Sequence, residues 1–139
     1  MPSKSARRYV IVIDDHALVR ESERQLLEVA GYAVAEVADP ADLSGLDLDA
    51  GTDVAILADF ELAGTMTGVD IALAIMSITG RKIPTLVLSG SVGDNASMSA
   101  SAHHLPFLTK PVTDTALLEW LEGAFANAKP EHPDVPARR

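Results

Sequence analysis

Val54-Ala55-Ile56-Leu57-Ala58-Asp59-Phe60-Glu61-Leu62 is the stretch that decides how the rest of the chain is read. Its first five residues are apolar without interruption, and an aspartate then ends the run. A strand with one face in water alternates apolar and polar residues, whereas a strand covered by helices on both faces does not. The stretch therefore predicts a buried strand of a parallel sheet, with Asp59 at its carboxyl end. Tyr9–Ile13, ending at Asp14-Asp15, and Thr85–Leu88, ending at Ser89-Gly90, repeat the pattern. Ala33–Val37 and Pro106–Leu108 are the remaining strand candidates.

Between these runs the apolar spacing changes to that of helices. Leu18, Val19, Ser22, Leu26, Leu27 and Ala30 form one stripe, with Arg20, Glu21, Glu23 and Arg24 largely outside it and Gly31 as the stop. Val69 to Ile78 reads as a second clear helix ending at Gly80. Asp114 to Ala128 reads as a third, capped by Thr113 or Asp114, with Leu117, Leu118, Leu121, Ala124 and Phe125 on its inner face. Residues 40–50, interrupted by Gly45, and residues 92–102, rich in Ser, Gly and Asn, predict only short or frayed helices. The alternation gives a (βα)5 chain and hence a parallel sheet between two helix layers. Residues 1–7 and the proline-bearing residues 129–139 read as tails around a single domain of residues 8–128.

Composition agrees with this organisation. Of 139 residues 47% are hydrophobic but only 4% are aromatic, so the core must be aliphatic. The absence of cysteine excludes disulfides and thiolate metal sites. A formal charge of −9 opposes non-specific binding to nucleic acid, and no DNA partner is expected. No apolar run approaches the roughly 20 residues needed to span a bilayer, and the run after the basic N-terminus is too short for a secretory signal. These observations predict a cytoplasmic protein without membrane attachment.

In an open parallel sheet, ligands bind beyond the carboxyl ends of the strands. Asp14 and Asp15 follow the first strand, Asp59 the third, Ser89 the fourth and Lys110 the fifth. Each alone has an ordinary explanation: a helix cap, a turn residue, a solvated lysine. Together they deliver three carboxylates, a hydroxyl and an ammonium to one rim. Hard oxygen donors of this kind suit Mg2+. With the metal and Lys110 neutralising charge, one carboxylate could act as a nucleophile toward phosphorus.

The order of these residues resembles the response-regulator receiver domains of two-component signalling, over roughly residues 8–128. The motifs that carry the resemblance are Val10-Ile-Val-Ile-Asp-Asp-His, Val54-Ala-Ile-Leu-Ala-Asp-Phe-Glu-Leu, Thr85-Leu-Val-Leu-Ser-Gly and Pro106-Phe-Leu-Thr-Lys-Pro. The resemblance implies a flavodoxin-like, doubly wound sheet of five parallel strands. It implies Asp59 as phosphoacceptor, and Asp14, Asp15 and Asp59 with the Glu61 backbone carbonyl as the Mg2+ ligands. The Glu61 side chain would project over the phosphoryl group and could influence the hydrolytic water. Ser89 would be the switching hydroxyl, Lys110 the phosphate-binding cation and Phe107 the aromatic switch, the plain alternative for Phe107 being a core aromatic.

As partners the resemblance implies a histidine kinase or histidine phosphotransfer protein, an unidentified downstream protein, and compatibility with a homodimer formed on phosphorylation. It implies a switch rather than an enzyme. The absence of a helical pattern after residue 128 leaves the expectation of a single-domain regulator that signals by protein contact. The loop from Asp59 to Gly68 is one residue longer than in the simplest members and resembles that of hybrid-kinase receivers. The main alternative is a phosphate sink or scaffold receiver, and a metal-dependent phosphohydrolase is a remote one. A flavodoxin-like flavin carrier is opposed by Asp14-Asp15-His16, which would repel the flavin phosphate. His103-His104 reads as an exposed loop pair and His16 as a rim residue.

Overall fold

The computed structural model describes residues 8–46, 48, 52–90 and 95–127. The predicted tails, residues 1–7 and 129–139, lie outside this set, as do residues 47, 49–50 and 92–94 of the two weak helices and residue 128 of the last helix.

The strands are β1 (Arg8–Ile13), β2 (Ala33–Val37), β3 (Asp53–Asp59), β4 (Thr85–Ser89) and β5 (Phe107–Thr109). The helices are α1 (Ala17–Val29), α2 (Gly68–Thr79), α3 (Asn95–Ala102) and α4 (Asp114–Asn127), with a 3-10 turn at Pro40–Gly45. All strand pairs are parallel and the order is β2-β1-β3-β4-β5. The flavodoxin-like, doubly wound sheet expected from the sequence is the fold observed.

Alternate residues of the central strands face opposite layers, as the period of two requires. Val10, Val12, Ala55 and Leu57 pack with Leu27 of α1 and with Leu117, Leu121 and Phe125 of α4. Ile11, Ile13, Val54, Ile56 and Ala58 pack with Ile71, Ala72 and Ile75 of α2. The uninterrupted apolar run of β3 thus serves two cores at once. Burial of these side chains at about 25 cal/mol per Å2 of apolar area is the main force holding the sheet.

The chain leaves β1 toward β2 on one side and reaches β3 on the other, which opens a crevice at their carboxyl ends. Register fixes what meets there. Ile13 pairs with Ala58, so Asp14 and Asp59 follow side by side. Asp59 pairs with Leu88 and Ser89 with Thr109, which brings Ser89 and then Lys110 to the same edge.

The face of α1 differs from expectation. Leu18 and Val19 are exposed (80% and 42%), as are Ser22 and Ala30, whereas Leu27 is buried and Glu23 is half-buried. The cause is the edge strand. Glu36 of β2 receives Arg20 Nε on one carboxylate oxygen and Arg24 Nε on the other, both at 2.9 Å. Arg20 also donates to the Asp14 carbonyl at 2.8 Å. These contacts turn the Arg20–Arg24 side of α1 toward the sheet, so part of the apolar stripe faces solvent.

The weak helices are short. At 40–45 the backbone forms a 3-10 turn closed by a reciprocal cap, in which Asp39 accepts from Ala41 N at 2.9 Å and Asp42 from the amides of Ala38 and Asp39 at 2.8 and 3.3 Å. α3 buries only Ala96 and Ala100, so it offers the sheet no large anchor.

Gly68 begins α2 against the backbone of Asp59. A Cβ there would lie 2.0 Å from the Asp59 carbonyl oxygen and 2.8 Å from its carbon. Only glycine allows the helix to approach this closely. Gly68→Ala should therefore destabilise the fold by about 1–3 kcal/mol through forced backbone displacement. Gly123→Ala, a site in α4 with nothing within 4 Å, should be neutral or stabilising. Urea unfolding of both variants checks this, and equal effects would refute the close-approach account.

Candidate functional site

Each site residue is held by a strand end. Asp14 is 2% exposed; its amide N–H donates to the Val37 carbonyl, and its Oδ1 accepts the His16 amide at 2.8 Å. Asp15 Oδ2 accepts the Ala63 amide at 2.6 Å, tying the end of β1 to the loop after β3. Asp59 is 4% exposed, and its Oδ1 lies 3.2 Å from Lys110 Nζ and accepts the Glu61 amide at 3.3 Å. The Lys110 amide donates to the Ser89 carbonyl at 2.8 Å, so the β4–β5 ladder itself aims the lysine.

Ser89 is fully buried, and its hydroxyl donates to Glu61 Oε2. The adjacent Gly90 amide donates to Glu61 Oε1 at 3.1 Å. Phe107 is half-buried against Val69, Val87 and Ala100. The structure thus brings Asp14, Asp15, Asp59, Ser89, Lys110 and Glu61 to one edge, with Phe107 behind it.

Two further residues belong to this region: His16, read from the sequence as a rim residue, and Glu23, which was not anticipated. His16 joins Asp14, Asp15 and Asp59, each offering a donor atom, and these atoms all lie within 4.8 Å of one another. Its adjacency to the aspartate pair was the available signal, although its side chain is 73% exposed. Glu23 is the second. Burial pushes its carboxyl up to about 7 from an ordinary 4.5, with repulsion from Asp14 adding to the effect. Helical spacing placed Glu23 outside the apolar stripe, so no sequence signal identified it.

Burial also raises the Asp59 carboxyl, opposed by Lys110 and reinforced by Asp14. A desolvated carboxylate beside another favours a cation at the site. Asp15 Oδ1 is buried and accepts no hydrogen bond, although His16 Nδ1 lies 3.3 Å away. Buried oxygens without donors are uncommon and call for a partner. A cluster of hard carboxylate oxygens with one such atom fits Mg2+.

Comparison with known proteins agrees with this geometry. The response regulator receiver domain family matches residues 10–122. This chain belongs to that family. Among solved structures, the Vibrio cholerae chemotaxis protein CheY4 superposes with a TM-score of 0.69 at 25% identity, covering 86% of this chain and 99% of that one. A receiver domain protein from Clostridium thermocellum gives 0.71 at 23% identity, covering 88% and 97%. Full-length FixJ from B. japonicum gives 0.69 at 26% identity, covering 90% of this chain and 61% of FixJ. No curated protein matches in sequence.

The protein is therefore a receiver domain of two-component signalling, a switch module by fold. Among the described residues, no helix is long and apolar enough to cross a membrane.

The raised Glu23 carboxyl has a consequence for stability. A carboxyl that holds its proton more tightly when folded leaves stability intact below its unfolded value, here 4.5, and removes it as pH rises through the folded value near 7. Glu23→Gln should match the parent receiver at pH 4 without metal and exceed it at pH 8 by on the order of 1–3 kcal/mol. Thermal unfolding across that range tests the sign. A variant less stable at pH 8 would contradict it.

Proposed function

We propose that Asp59 is the phosphoacceptor of this receiver domain, taking its phosphoryl group from the phosphohistidine of a histidine kinase or histidine phosphotransfer protein. The observation that carries this reading is the placement of Asp59, nearly fully buried at the end of β3 with Lys110 Nζ 3.2 Å from its Oδ1. A carboxylate oxygen attacks phosphorus, the phosphorus–nitrogen bond of the donor breaks, and the departing imidazole takes a proton from solvent. An acyl phosphate remains on Asp59.

Lys110, a compact ammonium with three donors, balances the carboxylate before transfer and a phosphoryl oxygen after it. The side chains of Asp14, Asp15 and Asp59, with the backbone carbonyl of Glu61, would hold Mg2+. When bound, that ion supplies neutralisation of charge on the transferring group. Ser89 donates to a further phosphoryl oxygen, and Phe107 turns inward behind it. The added charge shifts an equilibrium at the face formed by α3, β5 and α4, and output passes by protein contact. The chemistry is one transfer onto the domain itself, followed by slow self-hydrolysis, rather than turnover of a substrate.

A second reading, a phosphate sink without switch output, is favoured by one observation. α3 buries only Ala96 and Ala100, and Met98 on it is 66% exposed.

Phosphoramidate with Mg2+ should add one phosphoryl group, seen by intact mass, and peptide mapping should place it on Asp59. Asp59→Asn or chelation of Mg2+ should abolish the label. Labelling elsewhere would remove the proposal. NMR of the beryllofluoride-bound form separates the two readings. Shifts reaching Phe107 and α4 are expected for a switch, and shifts confined to the pocket would establish the sink.

A further inference from the structure

Glu61 presents a carboxylate to two hydrogen-bond donors at the end of β4. Its Oε2 accepts from the Ser89 hydroxyl and its Oε1 from the Gly90 amide, the latter at 3.1 Å. Its own amide donates to Asp59 Oδ1 at 3.3 Å, so the residue reaches from the nucleophile on β3 to the hydroxyl on β4. Ser89 is fully buried, which concentrates the value of whatever its hydroxyl binds.

We propose that the Glu61 carboxylate is a built-in latch, an internal anion that holds the Ser89 hydroxyl and Gly90 amide until a phosphoryl group on Asp59 displaces it. The inference rests on the phosphoacceptor reading of Asp59 and adds a regulatory element to that site.

The argument is one of exclusive donors. A hydroxyl has one proton to donate, and a backbone amide has one. Both are committed to Glu61 before phosphorylation. A phosphoryl oxygen that takes the Ser89 proton must take it from Glu61. The incoming group also brings roughly 1.5 to 2 negative charges, which repel the carboxylate once its donors are gone. Latched and phosphorylated arrangements are therefore alternatives. Breaking the latch subtracts from the energy gained by the phosphoryl contacts, and this sets how far the switch moves.

Side-chain length separates a latch from a simple negative field. Aspartate keeps the charge but is one methylene too short to span Ser89 and Gly90. Both hydrogen bonds are lost in the shorter side chain, so affinity for a phosphoryl mimic should change by about tenfold or more. Beryllofluoride with saturating Mg2+ is the probe, titrated calorimetrically into the parent protein, Glu61→Asp and Glu61→Ala.

The latch predicts that both variants bind about tenfold tighter than the parent. It also predicts that the Glu61→Asp effect shrinks to less than threefold in a Ser89→Ala background, because the main donor is gone. In the free protein, the Gly90 amide proton should lose its downfield, carboxylate-bonded shift in both variants. Glu61→Asp binding like the parent while Glu61→Ala tightens would overturn the latch in favour of charge alone. Equal effects of Glu61→Asp with and without the Ser89 hydroxyl would overturn it as well. Failure of beryllofluoride to bind any variant, together with no phosphoramidate label on Asp59, would instead bring down the phosphoacceptor reading on which the latch stands.

Discussion

The electrostatic balance around Asp59 is the constraint on which the arrangement of the site depends. The strand register places Asp59 beside Asp14, both almost without solvent, and Lys110 reaches Asp59 from two strands away. Two neighbouring desolvated carboxylates are unfavourable in any fold, and a lysine on the β5 side offsets only part of that repulsion. Burial is the main reason the Asp59 carboxyl is raised, with Asp14 adding to it, and at longer range Asp14 also adds to a Glu23 carboxyl raised chiefly by burial. The site is built to accept positive charge. Were Mg2+ bound there as proposed, the cation would relieve this repulsion and offset the negative charge that a phosphoryl group adds.

Such a site must be stabilised from elsewhere, and the two aliphatic cores do so. Val10, Val12, Leu57 and Leu121 on one face and Ile11, Ile56, Ile71 and Ile75 on the other are almost fully removed from water. Close approach completes the frame, since α2 begins in contact with the Asp59 carbonyl and only Gly68 permits it. The strands cannot shift to separate the carboxylates without losing both cores. Packing thereby holds in place a group of charges that would otherwise move apart.

The parallel sheet, its strand ends and the residues that follow them were legible in the sequence because uninterrupted aliphatic runs and terminal aspartates are local features. What was not legible depended on pairs of residues distant in the chain. The face that α1 turns to the sheet is set by Glu36, on an edge strand, reaching Arg20 and Arg24. Helical spacing alone favoured Leu18 and Val19, which the structure leaves exposed. The desolvation of Glu23 follows from that rotation. Glu61 was placed beside the phosphoryl site by the resemblance, but its grip on Ser89 and Gly90 requires two strand ends to be assembled first. The short second helix was anticipated from Gly45, yet the reciprocal cap by Asp39 and Asp42 that turns it into a 3-10 segment is visible only in the backbone geometry.

Next to Ser89 on β4, Val87 packs with Ala100 of α3, and half-buried Phe107 lies against both. α3 buries only Ala96 and Ala100, so on the proposed switch reading a displacement starting at Ser89 would meet little packing resistance there. Under those conditions the restraint on the switch must come from the pocket end. A carboxylate that occupies the Ser89 hydroxyl before phosphorylation supplies such a restraint, because it opposes movement at the one residue through which the signal starts. On the switch reading, a lightly packed α3 and a Ser89 hydroxyl held by Glu61 belong to one device, whereas on the sink reading the same light packing leaves a change at Ser89 without a rigid element to move.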